Sequence, residues 1–297
     1  MTFSSKVKDE LLNVETIKPC CILAECYGLL LFGRGFSAGE VYISTENKNV
    51  ALRYKELVER FTENPCNVSE SASGKIKVSV GNKQDRLAVL NAFGYNGKER
   101  TRRLNWANIS EDCCIGSFLR GVFLACGTVN SPEKNYHLEF VVPHMYLSRD
   151  LQKFLSDNDM AAKEVTRNGA YVLYFKDSGE IEEMLTVMGA SNCVLELMGV
   201  KMYKDMRNNV NRRLNFESAN LDRTVNAALV QIDAISRLKK CGMLNDLPSE
   251  LREIAELRTE NPDFSLKQIG DSMSVPMTRS GVNHRLKKLC ALAEKCK

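Results

Sequence analysis

Cys20-Cys21-Ile22-Leu23-Ala24-Glu25-Cys26-Tyr27-Gly28-Leu29-Leu30-Leu31-Phe32-Gly33-Arg34 lies without a gap over Cys113-Cys114-Ile115-Gly116-Ser117-Phe118-Leu119-Arg120-Gly121-Val122-Phe123-Leu124-Ala125-Cys126-Gly127, 93 residues further along the chain. Both segments start Cys-Cys-Ile, and both carry Gly eight residues after the first Cys. An internal repeat halves the folding unit, so the fold has to be sought as two copies of one motif.

The second copy, Leu119 through Gly127, resembles the LAGLIDADG helix of homing endonucleases. Where that motif carries its metal-binding acids, this chain has Leu124 and Cys126, and Leu31 and Gly33 in the first copy. Metal-assisted phosphodiester hydrolysis needs carboxylates at the metal. None of the four residues supplies an oxygen ligand. Glu25 and Asp112 stand at or nearer the helix starts, too far away to substitute. The expectation is therefore no catalytic residue, no metal and no cofactor. Gly28 and Gly121 keep a structural task, which is to let two helix backbones approach closely.

The same order of patterns follows each copy. Glu40–Ser44 alternates as a strand, Ala51–Phe61 is helical, Lys75–Val80 alternates again, and a helix spans about Asp85–Phe93. After the second copy come the strand His137–Val142, a helix over about Leu147–Leu155, the strand Tyr171–Phe175 and a helix over about Ile181–Met188. Gly74 and the pair Asn168-Gly169 mark hairpin turns. Alternation turns Ile76, Val78 and Val80 toward the helices. Lys75, Lys77, Ser79, Glu40, Tyr42 and Ser44 then face outward, as do His137 and Glu139. This outer face mixes signs, so it suits a partner or solvent as well as DNA.

Of the 297 residues, 44% are hydrophobic and 26% charged, as in ordinary globular domains, and the length allows two or three cores. Eleven cysteines without any CxxC spacing read as mostly reduced, buried thiols of a cytosolic protein. The first residues, Met1 to Leu12, are charged and lack a signal-peptide core, and Ser4 or Ser5 is placed to cap a short helix. No apolar run approaches a membrane span. The net charge of +4 is uneven. Residues 1–200 hold 23 basic and 25 acidic side chains, 201–240 hold 9 and 4, 241–276 hold 3 and 7, and 277–297 hold 6 and 1. Two C-terminal segments are thus where a polyanion would be held.

From Ser191 to Lys240 the sequence is helical and polar, broken by Asn208, Asn209, Asn211 and Asn215, with a helical stripe at Leu221, Val225, Ala228, Leu229 and Ile232. Cys241–Asp246 reads as a linker. Pro248 then opens a helix at N1, which runs to about Arg258 and stops at Asn261-Pro262. Ser265 caps a second helix, Leu266–Met273. A turn through Ser274–Met277 leads to a third helix from about Thr278. This is the pattern of a helix-turn-helix, with Ile269-Gly270 as the apolar-small pair and Val275 plugging the turn. The Val275–Val282 spacing is about two residues longer than in the compact version.

On the third helix Val282, Leu286, Leu289 and Ala293 form one stripe, and Ser280, Asn283, His284 and Lys287 the opposite one. The latter suit base edges in a major groove. Arg279, Arg285 and Lys288 flank them and suit phosphate contacts, which fix register without reading sequence.

Taken together the chain resembles the WhiA family. The resemblance runs through Phe3–Lys8, Phe118–Gly127, Tyr136–Glu139, Glu217-Ser218-Ala219-Asn220-Leu221, Leu247-Pro248, Leu251-Arg252-Glu253, Glu256-Leu257-Arg258 and Ser280–Leu286. Cys126 stands where that family usually has Gly, and Ser218 where it has Thr. The resemblance implies an α+β fold: a pseudo-twofold LAGLIDADG-like N-terminal domain of two αββαββα halves, joined through a helical linker to an all-α helix-turn-helix domain. Expected limits are an N-terminal helix over 1–18, the degenerate LAGLIDADG domain over 19–190 (halves 19–95 and 112–190), a helical linker over 191–246 and the helix-turn-helix domain over 247–297. It also implies a cytoplasmic, nucleoid-associated, non-enzymatic protein of Gram-positive bacteria. Such a protein binds double-stranded DNA, regulates transcription and acts in sporulation, cell division or chromosome segregation. Other transcription or division proteins are further expected partners, and membranes are not. Two competing readings are a partner- or ligand-binding scaffold localised to DNA by the helix-turn-helix, and an active endonuclease with relocated acids.

Overall fold

The computed structural model describes residues 2–296. They divide into two compact units, one up to Tyr203 and one from Lys204 onward.

The first unit is built from the duplicated motif. One copy comprises α2 (Pro19–Leu31), β1 (Gly35–Phe36), β2 (Val41–Thr45), α3 (Lys48–Val58), β3 (Asn67–Glu70), β4 (Ile76–Ser79) and α4 (Lys83–Ala92). The other comprises α5 (Asp112–Cys126), β5 (Gly127–Val129), β6 (Leu138–Val142), α6 (Met145–Asp157), β7 (Lys163–Arg167), β8 (Ala170–Phe175) and α7 (Ser178–Met188). Each copy gives a four-stranded antiparallel sheet, ordered β1-β2-β4-β3 and β5-β6-β8-β7. The mixed α+β class and the two αββαββα halves are as the repeat predicts.

Local chemistry sets the elements. Val41 and Ile43 on β2, and Leu138, Phe140 and Val142 on β6, are buried while their neighbours are not, which commits one face of each sheet to the core. Asn168 and Gly169 both have positive φ, 51° and 79°, and join β7 to β8 by a two-residue turn whose twist suits a hairpin. Side-chain caps start the helices: Asn47 for α3, Asn82 for α4 and Asp177 for α7. The N-terminal helix α1 (Phe3–Leu12) is capped by Thr2, which accepts from Ser5 N, rather than by Ser4 or Ser5. Its Phe3, Val7 and Leu11 are buried in the core of this unit.

At the centre α2 and α5 pack along each other. A Cβ on Gly121 would collide with the Glu25 carbonyl oxygen and come within 2.8 Å of Leu29 N, and one on Gly28 would meet Phe118 O and Val122 N. Only glycine allows this approach. Tyr27, Phe93, Phe118 and Phe154 extend the contact as a chain of ring pairs.

One helix, α8 (Ser191–Lys240), runs without interruption through Asn208, Asn209, Asn211 and Asn215, which the sequence reading takes as breaks. Asparagine costs a helix only a fraction of a kcal/mol, about 0.7 at most, and four such costs do not stop it. Of the stripe expected to be covered, Ala228 is buried while Leu221, Val225 and Leu229 are exposed. Further along the helix Ala234, Ile235 and Leu238 are buried, and near its start Cys193, Val194 and Leu197 are.

The second unit packs those residues against α9 (Ser249–Glu260), α10 (Leu266–Asp271) and α11 (Arg279–Ala293). Pro248 is the N-cap of α9 rather than its first helical residue. Cys241 and Cys296, each just beyond a helix end, are joined as a disulfide with their Cα atoms 6.6 Å apart. The other nine cysteines are free thiols, five of them buried. Among the described residues no helix is long and apolar enough to cross a membrane.

Candidate nucleic-acid interface

The three helices α9, α10 and α11 bury one continuous face. Leu251, Ile254 and Ala255 of α9 meet Ile269 and Met273, and Val282, Leu286, Leu289 and Ala293 of α11 close the cluster. Ser265 and Gln268 cap α10 reciprocally, and Thr278 caps α11 by accepting from Gly281 N. Gly270 is small for a reason: a Cβ there would strike the Met277 carbonyl oxygen, whose own N–H donates to Gly270 O at 3.0 Å.

The residue that plugs the turn is Met277, not Val275. Val275 is 75% exposed, whereas Met277 packs against the cluster. Two residues therefore separate the expected plug from the real one, and they account for the apparent lengthening before Val282. Glu253 on α9 holds the intervening loop by accepting from both the N–H and the hydroxyl of Ser274, and those bonds draw its carboxyl below the ordinary value.

With its apolar stripe turned inward, α11 presents the rest to solvent. Arg279, Ser280, His284, Lys287 and Lys288 are exposed and Asn283 is half-buried. Among the described residues, no ion pair engages Arg279, Lys287 or Lys288. Arg285 differs. Its Nε and Nη2 donate to Glu250 Oε2 of α9 at 3.0 and 2.7 Å. Sequence spacing groups Arg285 with the free cations, and only the packing of α9 reveals the carboxylate across from it.

The ends of the two motif helices form a second site. Leu31 and Leu124 are fully buried and Gly33 is buried, so the acid positions are filled by core or backbone. Cys126 is half-buried, and burial pushes its thiol up to about 12, so it carries no charge at neutral pH. Cations stand at both ends. Lys8 Nζ donates to Leu124 O at 3.4 Å, and Arg102 Nη1 donates to Gly33 O at 2.9 Å and Leu31 O at 3.3 Å. They satisfy carbonyls at the negative ends of the helix dipoles. Burial lowers both basic groups from their ordinary values. A divalent cation approaching either end meets a positive side chain, Lys8 or Arg102. Neither Lys8 nor Arg102 is legible as part of this site from sequence, since each lies far along the chain from the helix it covers.

Glu25 is likewise removed from metal chemistry. It is fully buried, accepts from Arg53 Nε at 2.8 Å and from Arg120 Nη1 at 3.1 Å, and so ties the two copies together. Arg120 also donates to Met188 O and Thr16 Oγ1.

A curated protein of Alkaliphilus metalliredigens, "Probable cell division protein WhiA", is 35% identical over 99% of this chain and 98% of its own. The chain belongs to the WhiA family. The WhiA relative from Desulfitobacterium hafniense is 37% identical over 99% of this chain and 96% of its own. Family models agree: the WhiA C-terminal HTH domain matches residues 210–293 and the WhiA LAGLIDADG-like domain residues 115–207. The crystal structure of full-length WhiA from Thermotoga maritima superposes with a TM-score of 0.60 at 25% identity, covering 100% of this chain and 99% of that one. The WhiA relatives named above carry the description of cell division proteins, and the helix-turn-helix is the part of the fold that fits nucleic acid.

Proposed function

We propose that this chain is a sequence-specific, double-stranded-DNA-binding protein of the transcription-regulator type, without nuclease activity. In this reading it acts in cell division, chromosome segregation or sporulation control, at the nucleoid of the cytoplasm. The observation that carries it is the exposed face of α11, where Arg279, Lys287 and Lys288 have no acidic partner and Ser280, Asn283 and His284 lie between them. Arginines and lysines of this kind supply phosphate contacts, and the polar side chains suit base edges. The helix-turn-helix scaffold supports placing α11 in the major groove.

The negative half of the proposal rests on the motif ends. With Leu31, Gly33, Leu124 and Cys126 in place of acids, and Lys8 and Arg102 over the carbonyls, the motif positions supply no carboxylate to hold Mg²⁺ or to activate water.

A scaffold role for the repeat unit is the second reading, and one observation favours it. The outer sheet face is already compensated. Glu139 accepts from Arg167 at 2.9 Å and lies 3.0 Å from His137, and Lys77 sits 4.1 Å over the Tyr42 ring. Such a face offers phosphates few free cations, and a protein partner or other transcription or division factors suit it better. The two readings are compatible.

Incubation of the purified chain with plasmid and long genomic DNA in Mg²⁺ or Mn²⁺ tests the proposal. The DNA should be retarded and remain intact. Double-strand cuts that scale with protein would refute the non-nucleolytic half, and no retardation at low salt would refute the other.

A further inference from the structure

The first turns of α2 and α5 bring Cys20, Cys21, Cys113 and Cys114 together, so that all four Sγ atoms lie within 4.8 Å of one another. Cys20 Sγ and Cys113 Sγ are 3.8 Å apart, and Cys21 Sγ donates to Cys113 O at 3.1 Å. The cluster is a product of the duplication. It takes the same two adjacent positions from each copy, and the glycine contact between the helices faces them toward each other.

We infer that these four cysteines form a tetrathiolate site for a single zinc-class ion, which straps the two copies of the motif together. A Zn–S bond of about 2.3 Å implies edges of about 3.8 Å in a sulfur tetrahedron. The Cys20–Cys113 separation of 3.8 Å matches that edge, and the widest pair needs to close by no more than about 1 Å. A polynuclear iron–sulfur cluster spreads its thiolates over several irons with sulfides between them. Four sulfurs confined this closely leave room for one ion. Thiolate ligands and tetrahedral geometry select a soft or borderline ion of the zinc type over magnesium or calcium.

Four thiolates this close repel one another, and a divalent cation removes that repulsion and expels the thiol protons. The positive N-terminal ends of two long helices, α2 and α5, add to the stabilisation of thiolates there. Cys113 is exposed and Cys20 half-buried, which gives an ion its entry, while Cys21 and Cys114 are buried.

Four protein ligands close the coordination shell, so the role is structural. The site sits at the opposite end of the motif helix from Cys126, about 20 Å away by helix rise. It cannot serve hydrolysis at the motif ends, and the inference stands whether or not the chain binds DNA.

The test uses the full-length chain purified under reducing conditions, stripped with a chelator, reloaded with Zn²⁺ alone and desalted. Metal analysis should return one zinc per chain. The double variant Cys20→Ser/Cys113→Ser should return essentially none, and Cys66→Ser should return the wild-type value. Co²⁺ in place of zinc should give the wild-type chain the charge-transfer and ligand-field bands of a tetrahedral tetrathiolate. Zinc should also slow modification of Cys20 and Cys113 by a thiol reagent at least about tenfold, read by peptide mapping. The last two readouts need no variant, so a misfolded mutant does not decide the matter. A folded wild-type chain that keeps no metal and gives no tetrathiolate spectrum overturns the inference. Full zinc retention by the double variant overturns it as well, and so does a Cys20–Cys113 disulfide in the reduced preparation.

Discussion

A Cβ placed on Gly28 would lie 3.3 Å from the carbonyl carbon of Gly121, so the two motif helices meet backbone to backbone at their repeat-related glycines. Substitution at either position forces the helices apart. Gly121→Leu should lower the stability of the first unit by about 1–3 kcal/mol or more, seen as a drop in its melting temperature. Unchanged melting would mean that the helices do not cross there.

Glu25 gives a second, electrostatic test of the same seam. It is the shared acceptor for Arg53 and Arg120, and it is 1% exposed. Glu25→Ala leaves the buried Arg120 without its carboxylate and should cost about 3–5 kcal/mol by denaturant titration. A loss within about 0.5 kcal/mol would fit a surface residue and contradict this burial.

Met277 and Val275 separate two accounts of the turn before α11. Met277→Asn should destabilise the second unit by about 1–3 kcal/mol, since it puts a polar group into an apolar contact. Val275→Asn should change stability by less than about 0.5 kcal/mol. The reverse order in thermal melts would restore Val275 as the plug.

Glu250 holds Arg285 in an ion pair that is partly exposed on both sides, 30% and 60%, and such pairs contribute about 0–1 kcal/mol. Glu250→Gln should therefore leave the melt nearly unchanged while freeing a cation on α11. If Arg285 then reaches a phosphate, affinity for duplex DNA rises and the log–log salt slope steepens by about one unit. Equal affinity and slope in variant and parent would remove Arg285 from the DNA-contacting set.

Much of this architecture is legible in the sequence because its signals are local. Val41 and Ile43, or Leu138, Phe140 and Val142, alternate, and Asn168-Gly169 allows little but a tight turn. The edge strands β3 and β7 are not legible, because every residue from Asn67 to Glu70 and from Lys163 to Arg167 is exposed and no apolar period marks them. What the sequence hides at the candidate sites is long-range. Lys8 over Leu124, Arg102 over Gly33 and Glu250 across from Arg285 are pairings that exist only once helices pack. The four clustered cysteines are hidden for the same reason, since they lack any metal-type spacing along the chain and acquire one through the pseudo-twofold contact.

In the proposed function α11 is the DNA-contacting helix. The most direct test is a titration of labelled duplex DNA at several salt concentrations, with the full-length chain and with a variant carrying Arg279→Ala, Lys287→Ala and Lys288→Ala. The variant should melt as the parent does, bind more weakly at every salt concentration, and lose about one unit of log–log slope per phosphate contact removed. A variant that binds with the parent's affinity and the parent's slope would contradict it.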